Sequence, residues 1–501
     1  MPDRRIRRVV ILGGGTAGWM TAAALAKVNS PPQFDITLIE SDDIGTIGVG
    51  EATIPTIHWF NKLVDVSEAD LVRETKATFK LGIELTHWNG QGSRYFHPFG
   101  LFGAPGDGPM FYHRWIRSHL AGTGGSHYDY SLTTQAAQAG KFAPPSPDAN
   151  SIFSTLGHAY HFDAGLYAAL LRRRCEARGV RRIEGKVTRV AQDPNSGFVT
   201  ALTTQRGEII EGDLFIDCSG MRALLIEGTL KSGFDDWSRW LPCDRALAVP
   251  SEVAPDPSPY TRAIAQAAGW QWRIPLQHRT GNGIVYSSQF IDDAAATDTL
   301  LSNLDGAAIA APRLIRFVAG RRRLAWIKNV VAIGLSAGFL EPLESTSIHL
   351  IQSGIAKLLS LFPTRDCHPQ TAAQFNRVFA ADVESIRDFL ILHYHRTAGR
   401  PEPLWQYCQH MTVPEGLSYK SNHFRDTGRI VLESEDLFKE ASWFAVMMGQ
   451  GLKPADYNPL LDSISAEENL AHLRRTRGQI AAALVTMPRH RDYIQQRLKA
   501  A

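Results

Sequence analysis

The sequence predicts an α/β fold: a Rossmann-type βαβ unit at the start of the chain, more strands through the middle, and a second, largely helical module towards the end. Three observations carry this reading. Val9–Leu12 runs into GGGTAGWMTAAALAKV and then Phe34–Glu40 (FDITLIE), which is strand, tight turn, helix, strand. Short apolar runs at Asp213–Cys218 and Val330–Gly334 read as further buried strands, each leading into a glycine turn. Residues 371–501 read as mostly helical. With 501 residues the chain exceeds what one core normally accommodates, so two or three domains are expected.

The elements follow in order. After the second strand comes a glycine-rich loop, IGTIGVGEATIP, then a helical stretch over His58–Thr75. Ala77–Leu85 alternates as a strand, with Phe79, Leu81, Ile83 and Leu85 on one face and Lys80, Gly82 and Glu84 on the other. Leu101–Ser151 is loaded with Gly, Pro, Ser and His and reads as a long excursion or lid. Asp163 is placed as the N-cap of a helix that Gly179 stops, and strands follow at Arg182–Val190 and Phe198–Thr204. From Met221 to Ala325 the pattern is strand-like, with a hairpin signal at Gly281-Asn282-Gly283. Within it, GWQWRIP alternates so that Trp270, Trp272 and Ile274 share a face. Ile348, Ile351, Ile355, Leu358 and Leu359 then mark one face of a helix.

Composition excludes several classes. Fifty-three basic against 50 acidic residues give a net charge of +3, too balanced for a nucleic-acid or anionic-membrane partner. The basic start MPDRRIRRVVIL has an apolar run too short for an export segment, and no run is long enough to span a bilayer. The five cysteines lie far apart with no C-x-x-C pair, so neither a zinc site nor a disulfide framework is expected, which fits a reducing cytoplasm. His158, His161 and Asp163 are read as local structure and a helix cap, with no metal.

Gly13, Gly15 and Gly18 form G-x-G-x-x-G between strand and helix, and Glu40 ends the next strand. The first glycine permits a tight turn, the second a close approach to a pyrophosphate, and the third helix–sheet packing; the acid takes ribose hydroxyls. Later strand ends at DLFIDCSG and VVAIGLSAGFLEP, with no second such loop for a nicotinamide, favour FAD over NAD. The FAD-binding module is assigned to 1–100, 151–230 and 325–370, lid and sheet insertions on the substrate side to 101–150 and 231–324, and a helical module to 371–501.

The combination GGGTAGWM, GVGEATIP, FKLGIE, HPFG, GWQWRIP and EPLESTS resembles the flavin-dependent tryptophan halogenase family. That resemblance implies a flavin-monooxygenase-like FAD module carrying the helical substrate module. It also implies FAD used as FADH2 and delivered by a separate NAD(P)H-dependent flavin reductase. Halide, chloride or bromide, is oxidised at the flavin to hypohalous acid, which travels through a tunnel to a small aromatic substrate, most plausibly indole or a derivative. A homodimer is expected. The tryptophan pair, Trp270 and Trp272, would lie beside the flavin and keep its oxidant off the organic substrate; on pattern alone the two rings read as core residues.

The resemblance also distributes roles. Thr16, Ala17, Ser41, Ala52, Val187, Leu335 and Ile348 join the glycine loop and Glu40 as cofactor contacts, and Ile44–Thr53 becomes a flavin strap. Thr346 and Ser347, where a helix begins, would hold the halide. Lys80, which on pattern alone reads as a solvated surface lysine, becomes the group that hydrogen-bonds hypohalous acid or forms a haloamine. Glu344 becomes the carboxylate that stabilises the arenium cation and takes its proton, with Glu341 as nearest competitor. His97, Phe99 and Ser345 complete the substrate pocket. A flavin monooxygenase that inserts oxygen, and a non-catalytic FAD-binding protein, are the rival readings.

Overall fold

The computed structural model describes residues 3–44, 50–434 and 436–500. Its nucleotide end is a six-stranded sheet in the order Trp326–Ile327, Val330–Ala332, Leu214–Asp217, Arg8–Leu12, Asp35–Glu40, Arg181–Glu184. Arg8–Leu12 pairs in parallel with Leu214–Asp217 on one side and Asp35–Glu40 on the other. A continuous apolar run such as Val9–Leu12 suits a parallel strand covered on both faces, and all four residues are buried. The helix Thr16–Val28 is buried from Gly18 to Ala26, its alanines letting it lie close to its neighbours. Helices Ala164–Ala177 and Ser347–Ser360 pack against it. Asp163 caps the former by accepting from the Leu166 N–H, as the sequence suggests.

A seven-stranded sheet forms the second layer, in the order Arg313–Arg316, Arg245–Ser251, Thr280–Tyr286, Gly269–Pro275, Thr261–Gln266, Gly82–Thr86, Arg94–Pro98. The tryptophan strand therefore lies inside the sheet. Gly281-Asn282-Gly283 is no hairpin turn; it lies within the ladder of Thr280–Tyr286, and the chain turns instead at Leu276–Arg279. Packing explains the glycine: a Cβ on Gly283 would stand 2.0 Å from the Trp272 ring.

Ala77–Leu85 is likewise two strands. Thr78–Lys80 pairs with Ala159–Asp163, which also pairs with Gly50–Ala52, whereas Gly82–Thr86 belongs to the seven-stranded sheet. Leu81 is the switch, its N–H given to Pro259 and its carbonyl taken by Phe99. Arg182–Val190 divides in the same way into Arg181–Glu184 and Val187–Gln192, in different sheets, and His58–Thr75 into helices Ile57–Leu63 and Glu68–Glu74.

The end of the chain is helical: Pro369–His395, Pro403–His410, Glu415–Thr427, Glu440–Gly449, Ala466–Thr486 and His490–Ala500. Within 101–150, which the sequence suggests as a lid, the helix Met110–Leu120 joins this side as core. Phe111, Tyr112, Trp115 and Ile116 recur at helical spacing in Met110–Leu120 and are buried, with Tyr112 and Trp115 packed against Phe444. The last helix reaches back to the strand of Lys80, where His490 Nε2 accepts the Phe79 N–H at 3.0 Å. Among the described residues no helix is long and apolar enough to cross a membrane.

Candidate active site

The glycine loop is held by contact on every side. Gly13 has φ 112°, and a Cβ there would meet the Cys218 carbonyl at 2.2 Å; a Cβ on Gly18 would meet the Gly13 carbonyl at 1.8 Å. Strand, loop and helix thus touch through backbone, and the N-terminus of Thr16–Val28 faces a cavity of about 950 Å³. That volume lies towards the upper end of the roughly 300–1,000 Å³ usual for ligand sites. Gly13, Gly15, Thr16 and Ala17 line it at the helix end, and Glu40 and Ser41 beside them. Glu40 is oriented by Arg182 and by Trp19 Nε1 at 3.4 Å. Ala52, Val187, Leu335 and Ile348 line the same space, from four separate parts of the chain. Gly18 alone of the expected cofactor residues lies behind the wall. A helix N-terminus for phosphates, an acid beside it for the ribose and apolar walls beyond fit FAD. Met221 and Arg222 also line the cavity without any motif to announce them, and so do Glu51 and Phe339, which lie within GVGEATIP and VVAIGLSAGFLEP but which sequence reasoning did not single out. Residues 45–49 of the expected flavin strap lie outside the described residues.

Of the expected halide and substrate residues, Ser345, Ser347 and Trp272 line this cavity, whereas Thr346, Trp270, His97 and Phe99 do not. Ser345 and Ser347 line it, and Ser347 begins the helix Ser347–Ser360. Ser345 has φ 59°, a left-handed conformation costly for a residue with a side chain. Thr346 between them is fully buried, its hydroxyl without a partner among the described residues. Trp272 and Ile274 also line the cavity. Trp270 sits one row back, its ring centroid 6.1 Å from that of Trp272, and its Nε1 donates to Glu341 at 3.3 Å.

Lys80 is no surface lysine; its exposure is 0%. Its ammonium donates to Ser345 Oγ at 2.7 Å and to the Thr53 carbonyl at 3.1 Å, and lies 4.8 Å from the centroid of the Phe99 ring. Burial pushes it down to about 7, with the Glu344 carboxylate opposing that shift. An ammonium has three N–H groups, so one remains for a ligand. Ser345 therefore connects the cavity wall to the lysine.

Glu344 is also fully buried. His97 Nδ1 lies 2.7 Å from its Oε2, and His393 Nε2 lies 2.9 Å from its Oε1. Burial would raise this carboxyl, but the two histidines outweigh it and hold it down to about 2. Glu341, three residues earlier, shows the opposite outcome. Burial pushes it up to about 7, and Tyr394 at 2.6 Å and Trp270 only partly oppose this. Of the two, Glu344 is the one held as an anion. His393 has no motif to announce it in the sequence. His161 bonds Thr78 and Thr261, so it is tied into the strands around Lys80.

Comparisons with known proteins show the family and the fold. Residues 8–466 match the Tryptophan halogenase family. The fold superposes on a flavin-dependent halogenase from Xanthomonas campestris, Xcc4156, with a TM-score of 0.94 and 47% identity over 98% of both chains. BrvH, a flavin-dependent halogenase from Brevundimonas sp. BAL3, gives 0.95 and 45% over 99% of this chain and 100% of that one. The tryptophan 6-halogenase ThaL of Streptomyces albogriseolus is 34% identical over 92% of each chain. The chain belongs to the tryptophan halogenase family and is a flavin-dependent halogenase that uses FADH2 and halide.

Proposed function

We propose that this halogenase acts on indole or an indole derivative with FADH2 from a separate NAD(P)H-dependent reductase, and that Lys80 and Glu344 are its catalytic residues. Bound FADH2 supplies, with oxygen, the oxidation of halide to hypohalous acid. The observation that carries the reading is the position of Lys80: buried, partly ionised, one N–H unused, and joined through Ser345 to the wall of the cofactor cavity. Thr346 and Ser347 hold halide at the helix start, where backbone N–H groups attract anions. Trp272 closes the cavity on the substrate side. Lys80 takes up hypohalous acid and protonates the departing hydroxide; Glu344 supplies the negative charge that stabilises the arenium cation.

The test is product mass spectrometry on indole with bromide, with chloride and with neither, using a flavin reductase. Halogenated indole is expected with halide and only with the reductase present. Lys80→Ala should reduce it to background while oxygen is still consumed and oxidant escapes to a scavenging dye. Hydroxylated indole in place of halogenated product would establish the monooxygenase reading. Direct oxidation of NADH by the purified chain would remove the separate reductase.

A further inference from the structure

The hydrogen bonds behind Glu344 have a fixed direction. Gln450 Nε2 lies 2.6 Å from the His393 carbonyl, which can only accept, so the amide nitrogen faces that side. The same nitrogen donates to Tyr95 Oη at 3.1 Å. Tyr95 must therefore give its own proton to His393 Nδ1, 2.6 Å away. His393, whose value burial lowers, then carries its proton on Nε2, 2.9 Å from Glu344 Oε1, a charge contact that falls outside hydrogen-bond geometry. On the other oxygen, His97 Nδ1 must donate, because an ionised carboxylate only accepts. In the tautomer that donates from Nδ1, the other ring nitrogen, Nε2, carries a bare lone pair. That atom is buried and without a partner among the described residues. The His97 ring lies 6.0, 5.6 and 5.8 Å from the rings of Phe99, Phe389 and Phe438.

We infer that His97 Nε2, with Glu344 and His393 behind it, is the base that removes the arenium proton, so that Glu344 acts as its charge partner rather than as the proton acceptor. The inference rests on the halogenase reading above. A ring carbon takes the halogen from hypohalous acid, forming the C–X bond, and the hydroxide leaves as water with a proton from Lys80. The C–H electron pair returns to the ring as its proton moves to His97 Nε2. Glu344 then faces an imidazolium. Transfer of that proton back to Lys80 restores both residues, and the sum is ring–H plus HOX giving ring–X plus water. Gln450, Tyr95 and His393 are positioning residues: they turn the polarity of the chain so that its open end is basic.

The titratable groups around His97 are Glu344 and, across it, His393 and Lys80; Phe389 and Phe438 approach from other elements without charge. Removing the base makes proton loss slow, whereas removing the charge makes formation of the arenium slow. Ring-deuterated indole separates the two. His97→Asn, which keeps a donor towards Glu344, should lower product per oxygen consumed by about 10²–10⁴-fold and introduce a primary isotope effect absent from the native enzyme. Imidazole added to His97→Ala should restore product. Glu344→Gln should slow product without an isotope effect. An isotope effect in Glu344→Gln but not in His97→Asn, or native product yield from His97→Asn, would overturn the inference and leave the halogenase reading intact. No oxidant from the native enzyme would instead remove that reading.

Discussion

Lys80 is costly to keep charged, and its cost has a sign in pH. Its folded-state value is depressed to about 7 from 10.5, chiefly by burial. Below pH 7 folded and unfolded chains both hold the proton, and the whole penalty is felt. Between about 7 and 10.5 the folded chain releases the proton while the unfolded chain keeps it, so stability rises with pH across this window. A lysine replaced by an apolar residue of similar length escapes the penalty. Lys80→Met should therefore melt higher than the native chain at pH 7 and below, with the advantage shrinking as pH is raised towards 10.5. Melting temperatures taken across that range check it. A constant difference at every pH would mean that the ammonium is solvated in the folded state. The enzyme retains an unfavourable charge at this position, as a functional site allows.

At the level of elements, the tryptophan strand depends on its neighbour. Gly283→Ala would put a methyl 2.0 Å from the Trp272 ring and 2.5 Å from the Leu247 carbonyl. The ring has the cavity on its other side, so it should be pushed there, and FAD affinity should fall while the strand ladder persists. Fluorescence titration with FAD tests this; unchanged affinity would mean that the ring has another place to go. This same glycine shows where sequence reading fails. Gly-Asn-Gly is a turn signal because glycine is free of steric limits, but glycine also serves where a large ring must lie on a backbone, and local sequence does not distinguish the two. Thr78–Lys80 and Gly82–Thr86 looked like one strand because alternation continues through Leu81; the change of partner there depends on Pro259 and Phe99. The βαβ unit was legible because its contacts are local and each residue type has one physical reason to be there. Lys80 and Glu344 were legible only through their motifs. His393 was not, because its part depends on Glu344, Tyr95 and Gln450 arriving from three other elements.

For the whole molecule, the reaction centre depends on the last helix. His490 Nε2 takes the Phe79 N–H, and its Nδ1 gives a proton to the Pro257 carbonyl at 2.8 Å. His490→Ala leaves a buried amide unpaired beside Lys80, a loss of about 1–3 kcal/mol. The variant should melt lower and release more oxidant per halogenated product, since the strand that aims Lys80 has lost a tie. Calorimetry and the dye assay measure these separately; lower stability with native coupling would confine His490 to a structural part. The tie also sets an order in time. Phe79 and His490 are 411 residues apart, and at about 5–20 residues per second a ribosome takes roughly 20–80 s to travel between them. A growing chain therefore has its nucleotide loop long before the lysine is clamped. Handling of a corrosive oxidant is deferred until translation has passed residue 490, and the delay is written into the topology.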